Sequence, residues 1–283
     1  LGLSVAEAAD GIIRIAVTQM ANVVKRVTTA RGLEARDFAM VAYGGAGPLH
    51  AVLVARELQI PRVIVPNAPG HFSAYGMLVS DLRRDYVRTL FARLADAPFD
   101  GFNAVFREME ERGRSDIDSA APERLDIIVK HAVDMRYIGQ EHAVTVEIDR
   151  RAFAERDVDA IKAAFDAVHS QRYGYASSDE SAETVNLRLS VIGVIAKPSH
   201  APLAVAKSAS ADDALIGVRA VEFGVMGGRL ETPLYDRARL LRGHRVVGPA
   251  LIQEYASTTV LLPGDSLVVD SMGNLDITIE VRP

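Results

Sequence analysis

The chain has 283 residues, a formal net charge of −5 and no cysteine, with 49% hydrophobic and 24% charged residues. That length suits about two domains, the charge offers no basic footprint for nucleic acid or an acidic membrane, and the missing cysteines exclude disulfides, thiolate metal ligands and cysteine nucleophiles. No apolar run approaches the roughly 20 residues of a membrane span, and no signal-peptide pattern opens the chain; the expected compartment is the cytosol.

The chain begins at Leu1 rather than Met, almost inside a helix, which predicts a portion of a longer polypeptide. Ser4 and Glu7 form a capping box, so the first helix should start near Val5. Ile13, Val17, Met20, Val24 and Val27 recur at helical spacing and predict a buried stripe, with Gly32 suited to the stop.

Next comes Phe38 to Pro66, around which the rest is organised. Phe38 to Tyr43 reads as a buried strand. Gly44, Gly45 and Gly47 break it, Pro48 suits the first turn of a helix, Pro61 ends that helix, and Arg62 to Val65 reads as a second strand. The unit is a strand, glycine loop, helix and strand, a parallel crossover. Glycine lets backbone N–H groups approach a ligand closely, and the helix N-terminus directs its unsatisfied N–H groups and positive dipole end to the same spot. The bend is either a nucleotide-binding turn or only a tight connection.

A turn-rich segment follows at Asn67 to His71, then a short helix over Ser73 to Leu82 and a strand over Asp85 to Leu94. A first boundary is expected between Ala95 and Asp100. Phe102, Phe106 and Met109 predict a helix that fades into the charged run Arg107 to Arg114, a solvated face. Leu125 to Tyr137 and His142 to Ile148 read as strands around the turn Ile138 to Glu141. Asp157 can cap a helix carrying Val158, Ile161, Phe165 and Val168, and Val185 to Val191 alternates as a strand. Pro198 to Asp213 is the linker candidate, and the remainder is a compact β-rich tail. The expected domains are therefore 1–95, 96–200 and 201–283.

Several side chains carry two readings. His50, in the first turn after the glycines, could reach a phosphate or metal, and His71 could lie at the same strand ends; each is otherwise an ordinary polar residue. Asp81 and Asp85 are either outer carboxylates of a cation site or partners of Arg83 and Arg84. Arg136 and Gln140, at a hairpin turn, either hold a substrate carboxylate or fix the hairpin. His169 shares a helical face with Phe165 and could simply pack under Tyr173. No Ser-His-Asp spacing, HExxH or Walker motif is present, and no metal ligands are assigned.

The string GGAGPLHA and the following Ser73-Ala74-Tyr75-Gly76-Met77 resemble the hydantoinase A and 5-oxoprolinase family. So do Met135-Arg136-Tyr137-Ile138-Gly139-Gln140, the Phe165, His169, Tyr173-Gly174-Tyr175 pattern and Thr232-Pro233-Leu234-Tyr235. Gly248 to Ile252, Ser257 to Val260 and Gly273-Asn274-Leu275 complete a resemblance that covers nearly the whole chain. It implies an α/β fold: the second lobe of an actin, Hsp70 or sugar-kinase-like ATPase, followed by an α+β region and the β-rich tail. It also implies an ATP- and Mg²⁺-dependent enzyme opening cyclic amides by phosphorylating a lactam carbonyl. Gly44, Gly45 and Gly47 would contact the nucleotide, beside His50. Catalytic residues would lie in a first lobe outside this chain. A partner subunit of the hydantoinase B type and an oligomer are further implications. The alternatives are a subunit of an ATP-dependent ketone carboxylase and a non-catalytic docking module.

Overall fold

The computed structural model describes residues 2–121 and 123–280, so the expectation attached to Leu1 lies outside the described residues. The chain forms two compact units, one from residues 1–78 and 198–283, the other from 79–197.

The first unit opens with α1 (Val5–Thr29), where Ser4 Oγ accepts the Glu7 amide and Glu7 returns the bond to the Ser4 amide at 2.7 Å. Both halves of the expected capping box are present, each satisfying an N–H group the helix leaves orphaned. The stripe on α1 is buried only at Val17 and Ala21, while Ile13, Met20 and Val27 remain substantially exposed. Helical spacing places residues on one face; it cannot say how much of that face is covered.

Met40 and Val41 form β1, a shorter strand than Phe38 to Tyr43 suggests. The helix α2 (Gly47–Glu57) follows and leads to β2 (Arg62–Val65), which pairs parallel to β1 with Met40 opposite Val63. Ala51, Val52, Val54 and Ala55 bury one side of α2 in the core of this unit. The helix α3 (Phe72–Val79) ends the first segment.

The second unit is built on an antiparallel sheet. Its strands are β3 (Leu82–Arg93), β4 (Asp126–Tyr137), β5 (Val144–Glu147) and β6 (Ala182–Val194), in the order β3-β6-β4-β5. Burial along β6 alternates almost without break, as one packed face requires. Between the strands run α4 (Phe99–Ala120), α5 (Arg150–Ala154) and α6 (Val158–Tyr173). Phe102, Phe106, Phe153 and Phe165 are buried in this unit's core, each contributing roughly 1.5–3 kcal/mol. The charged run on α4 does not end that helix: Met109 and Gly113 are buried while Arg107 and Glu108 face solvent. Asp157 caps α6 by accepting the Ala160 amide at 2.9 Å, and Gly174 closes it in the left-handed conformation.

Residues 198–280 return to the first unit. They supply β7 (Leu215–Glu222), β8 (Arg229–Asp236), β9 (Arg245–Val247), β10 (Ala250–Glu254), β11 (Ser257–Leu261), β12 (Ser266–Val269) and β13 (Leu275–Thr278). Strands β11-β10-β8-β7 make one sheet; β13, β12 and β9 extend the sheet begun by β1 and β2, in the order β1-β2-β13-β12-β9.

This arrangement departs from the three expected segments. β3, assigned by its sequence position to the first segment, pairs along its length with β6. The tail is not a separate β domain, because β13 pairs antiparallel with β2, Leu275 opposite Val65. Nor is 198–213 a free linker: the Leu203 amide donates to the Ser271 carbonyl at 2.7 Å and the Arg245 amide to Ala209 at 2.8 Å. Pairing across some 200 residues leaves no local signature. The sheet of β1 and β2 is accordingly mixed rather than purely parallel.

Candidate functional site

The carboxyl ends of β1 and β2 deliver two loops to one edge of the first unit. Gly44 holds φ at +88°, a conformation that a side chain disfavours, and its N–H donates to the Pro69 carbonyl at 2.8 Å, tying the two loops together. Gly45 faces the turn between β10 and β11: a Cβ there would come within 3.2 Å of the Ala256 carbonyl oxygen. Gly47 is different. Its φ is not positive, and the nearest atom to a Cβ placed on it is 3.9 Å away. The chain's own geometry does not require glycine at that position.

The N–H groups of Gly45, Ala46 and Gly47 have no acceptor among the described residues. Ala46 is the N-cap and Gly47 the first residue of α2, so these amides stand at or just before the helix's positive end, where the dipole favours an anion. Beside them opens a cavity of about 480 Å³ walled by Met20, Val24, Met40, Tyr43, Gly47 and His50 among others. Apolar side chains dominate its walls, and His50 supplies a polar edge. Free amides next to a mostly apolar hollow suit a ligand with an anionic part and a flat apolar part.

The turn between β10 and β11 is the other wall of the glycine bend, a contact that no local pattern of residues signals. The Tyr255 ring, fully exposed, stacks on His71 with centroids 6.3 Å apart and planes 16° from parallel. His71 thus stands on the neighbouring loop but does not line the cavity. Behind the turn, Arg237 is buried, donates to the Gly273 carbonyl, and has its guanidinium held down to about 10 by burial. Burial pushes the Glu254 carboxyl up, against the opposing influence of Arg237 and His71. Arg237 Nη1 and Glu254 Oε1 are both buried without a partner among the described residues.

Arg136 and Gln140 belong to the second unit. Arg136 Nε donates to Glu183 Oε1 at 2.7 Å, and Gln140 Oε1 faces His169 Nε2 at 3.3 Å. His169 Nδ1 lies 2.9 Å from the Tyr175 carbonyl, and its ring packs against Tyr173 at 4.8 Å. Both candidates are therefore engaged within the hairpin and its neighbours, the arrangement of the hairpin-fixing alternative. Asp85 pairs with Arg83 at 2.9 Å, whereas Asp81 pairs with Lys197 at 2.5 Å and accepts the Ile195 amide at 3.0 Å. Among the described residues no group of three or more His, Asp or Glu side chains is arranged to hold a metal, and no helix is long and apolar enough to cross a membrane.

Comparison with known proteins adds the following. Residues 1–86 match the model of the hydantoinase/oxoprolinase family, and residues 96–277 match that of the hydantoinase/oxoprolinase C-terminal domain. A protein of Methanocaldococcus jannaschii is 34% identical over 98% of this chain and 38% of its own length. Caprolactamase subunit alpha of Pseudomonas jessenii is 29% identical over 98% of this chain and 40% of its own. The crystal structure of the ATP-dependent caprolactamase from that organism superposes with a TM-score of 0.74, covering 99% of this chain and 41% of that one. The nucleotide-free structure of acetone carboxylase gives a TM-score of 0.80 at 24% identity, over 98% of this chain and 40% of that one, a likeness of fold. The chain thus spans about 40% of the length of these relatives.

Proposed function

The chain belongs to the hydantoinase/oxoprolinase family, and we propose that within it the glycine bend forms one wall of the ATP site of an enzyme that opens cyclic amides. Gly47 carries this reading. Neither backbone conformation nor internal packing calls for glycine there, and it carries one of the three uncommitted amides and lines the apolar cavity. A nucleotide approaching the backbone at that point accounts for the missing side chain.

In this reading the amides of Gly45, Ala46 and Gly47 receive a phosphate oxygen, the cavity beside Tyr43 receives the flat base, and His50 donates to the nucleotide's polar edge. Bound ATP, with Mg²⁺ neutralising its phosphates, would supply a phosphoryl group to the lactam carbonyl oxygen; water adding to that carbon and departure of the protonated ring nitrogen would open the ring, and a second water would release phosphate. This chain's share is orientation and exclusion of water. The catalytic acid and phosphate loop are assigned to the part of the relatives' length that this chain does not span. A lobe of the actin, Hsp70 and sugar-kinase type would place the bend opposite that part. A second subunit of the hydantoinase B type is proposed as partner, in line with a caprolactamase relative described as an alpha subunit. A cytosolic location is proposed with it, as a compartment that supplies ATP.

A ketone-carboxylase subunit is the rival. It draws on the acetone carboxylase fold likeness and on acetone and acetophenone carboxylase subunits 26% and 27% identical, against 29% for the caprolactamase subunit. Cyclic amides are therefore preferred. The test is a Gly47→Val substitution in the intact protein, followed by ATP binding and by ADP release with a lactam or with a ketone plus bicarbonate. Weakened ATP binding and lactam-dependent ADP release are expected. Unchanged ATP affinity would remove the bend from the site, and ketone-dependent release would select the rival.

A further inference from the structure

The unit of residues 79–197 has a polar pocket of its own, unrelated to the glycine bend. Two cavities, about 550 and 260 Å³, share Glu110, His131 and Arg150 as walls. Arg107, Glu110 and Arg114 are three and four residues apart on α4 and so project together. β4 contributes His131 and α5 begins with Arg150.

His131 is only 8% exposed. Its ring meets Phe106 edge-on, centroids 4.9 Å apart, and neither ring nitrogen has a hydrogen-bond partner among the described residues. Those nitrogens are not among the buried unpartnered atoms of the described residues, so they open to the hollow rather than being sealed in the core. Burial and the Arg150 charge push the imidazole's pKa down, with Glu110 opposing them. The ring therefore favours its neutral form, one nitrogen donating and the other accepting.

The surrounding charges divide into committed and uncommitted. Arg114 donates to Glu110 Oε1 at 2.8 Å, and Lys130 pairs with Glu147 at 2.9 Å. Asp100 is held by Arg156 at 2.8 Å, and Asp149 accepts the Arg151 amide at 2.8 Å. Arg150 approaches Glu110 only to 3.6 Å, beyond hydrogen-bond range, and Arg107 has no side-chain partner among the described residues. Two guanidinium groups and an imidazole with free nitrogens thus border one hollow. Guanidinium groups match planar and tetrahedral oxyanions by geometry as well as charge.

We propose that this pocket binds a small molecule bearing an oxyanion, carboxylate or phosphate, through Arg107, Arg150 and His131. The test uses the chain of residues 1–283 in a buffer without oxyanions, titrated separately with inorganic phosphate, with succinate and with potassium chloride at matched ionic strength. Saturable shifts of the His131 ring signals by NMR are expected with phosphate or succinate and not with chloride, and the effective arm identifies the anion. Arg107→Gln and Arg150→Gln should each weaken binding about tenfold, the loss of one charge-assisted bond. Arg107 is exposed and Arg150 has a side chain 65% exposed, so the circular dichroism of both variants should match the parent. Shifts that track ionic strength alone in all three arms, or variants that bind as tightly as the parent, would overturn the proposal.

Discussion

The Tyr137 hydroxyl donates to Asp166 Oδ1 at 2.6 Å while accepting the Ser177 amide at 2.8 Å. Lys162 holds the same carboxylate at 2.8 Å, so one buried phenol joins β4, α6 and the loop after α6. Burial and then Asp166 push the Tyr137 pKa up to about 12. An unfolded tyrosine titrates near 10, so between those values the unfolded chain loses a proton that the folded one keeps. The stability from this proton is complete below about pH 10 and is lost as pH rises toward 12. Tyr137→Phe should cost about 1–3 kcal/mol at neutral pH and flatten the alkaline decline, as read by urea unfolding at a series of pH values. An unaltered alkaline slope in the variant would contradict this.

Arg56 and Asp265 make the corresponding bond in the first unit, at 2.6 Å, with the Asp265 side chain fully buried. Burial pushes the Asp265 carboxyl up, and the Glu280 amide and Arg56 only partly offset it. Arg56→Leu should destabilise by about 3–5 kcal/mol near pH 7, because it leaves a buried carboxylate without its cation. Protonating that carboxylate relieves the defect, so the penalty should shrink as pH falls below its folded pKa. Equal penalties at pH 7 and pH 4 would speak against this origin.

Gly113 lies where α4 crosses the sheet. A Cβ on it would collide with Val191 Cγ2 and come within 3.0 Å of the Tyr86 ring. Alanine is the better helix former by about 1 kcal/mol, yet overpacking typically costs about 1–3 kcal/mol. Gly113→Ala should therefore lower the melting temperature, and adding Val191→Ala should recover part of the loss. A stabilised single variant would mean that α4 can move off the sheet freely.

The glycines of the bend should separate by role. Gly44→Ala forces a side chain into φ near +88° and should destabilise by about 1–2 kcal/mol. Gly47→Ala meets nothing closer than 3.9 Å and should leave thermal stability within about 0.5 kcal/mol. Chemical denaturation of the two variants decides this directly.

Much of the site's local geometry was legible from residues alone. Ser4 with Glu7, Gly44 through Pro48, Pro61 and Asp157 each mark a local event within a few residues, so the helix starts, the glycine bend and the β1–α2–β2 order follow from short-range chemistry. Arg237, Glu254 and Tyr255 carried no such mark. Their nearness to the bend depends on β13 pairing with β2 and on Ala256 approaching Gly45, contacts that close loops of about two hundred residues.

Sequence by itself thus determined what a turn of helix or a tight bend can encode: caps, breaks, the alternating faces of β6, and a string specific enough to indicate the family. Only the tertiary structure decided that residues 198–280 complete the sheet of β1 and β2, that α1 leaves much of its apolar stripe exposed, and that His131 faces a polar hollow. Backbone conformation and capping are fixed by neighbours in the chain. Strand partners and burial are fixed by whichever distant surfaces gain most from leaving water, and that comparison exists only once the whole chain has folded.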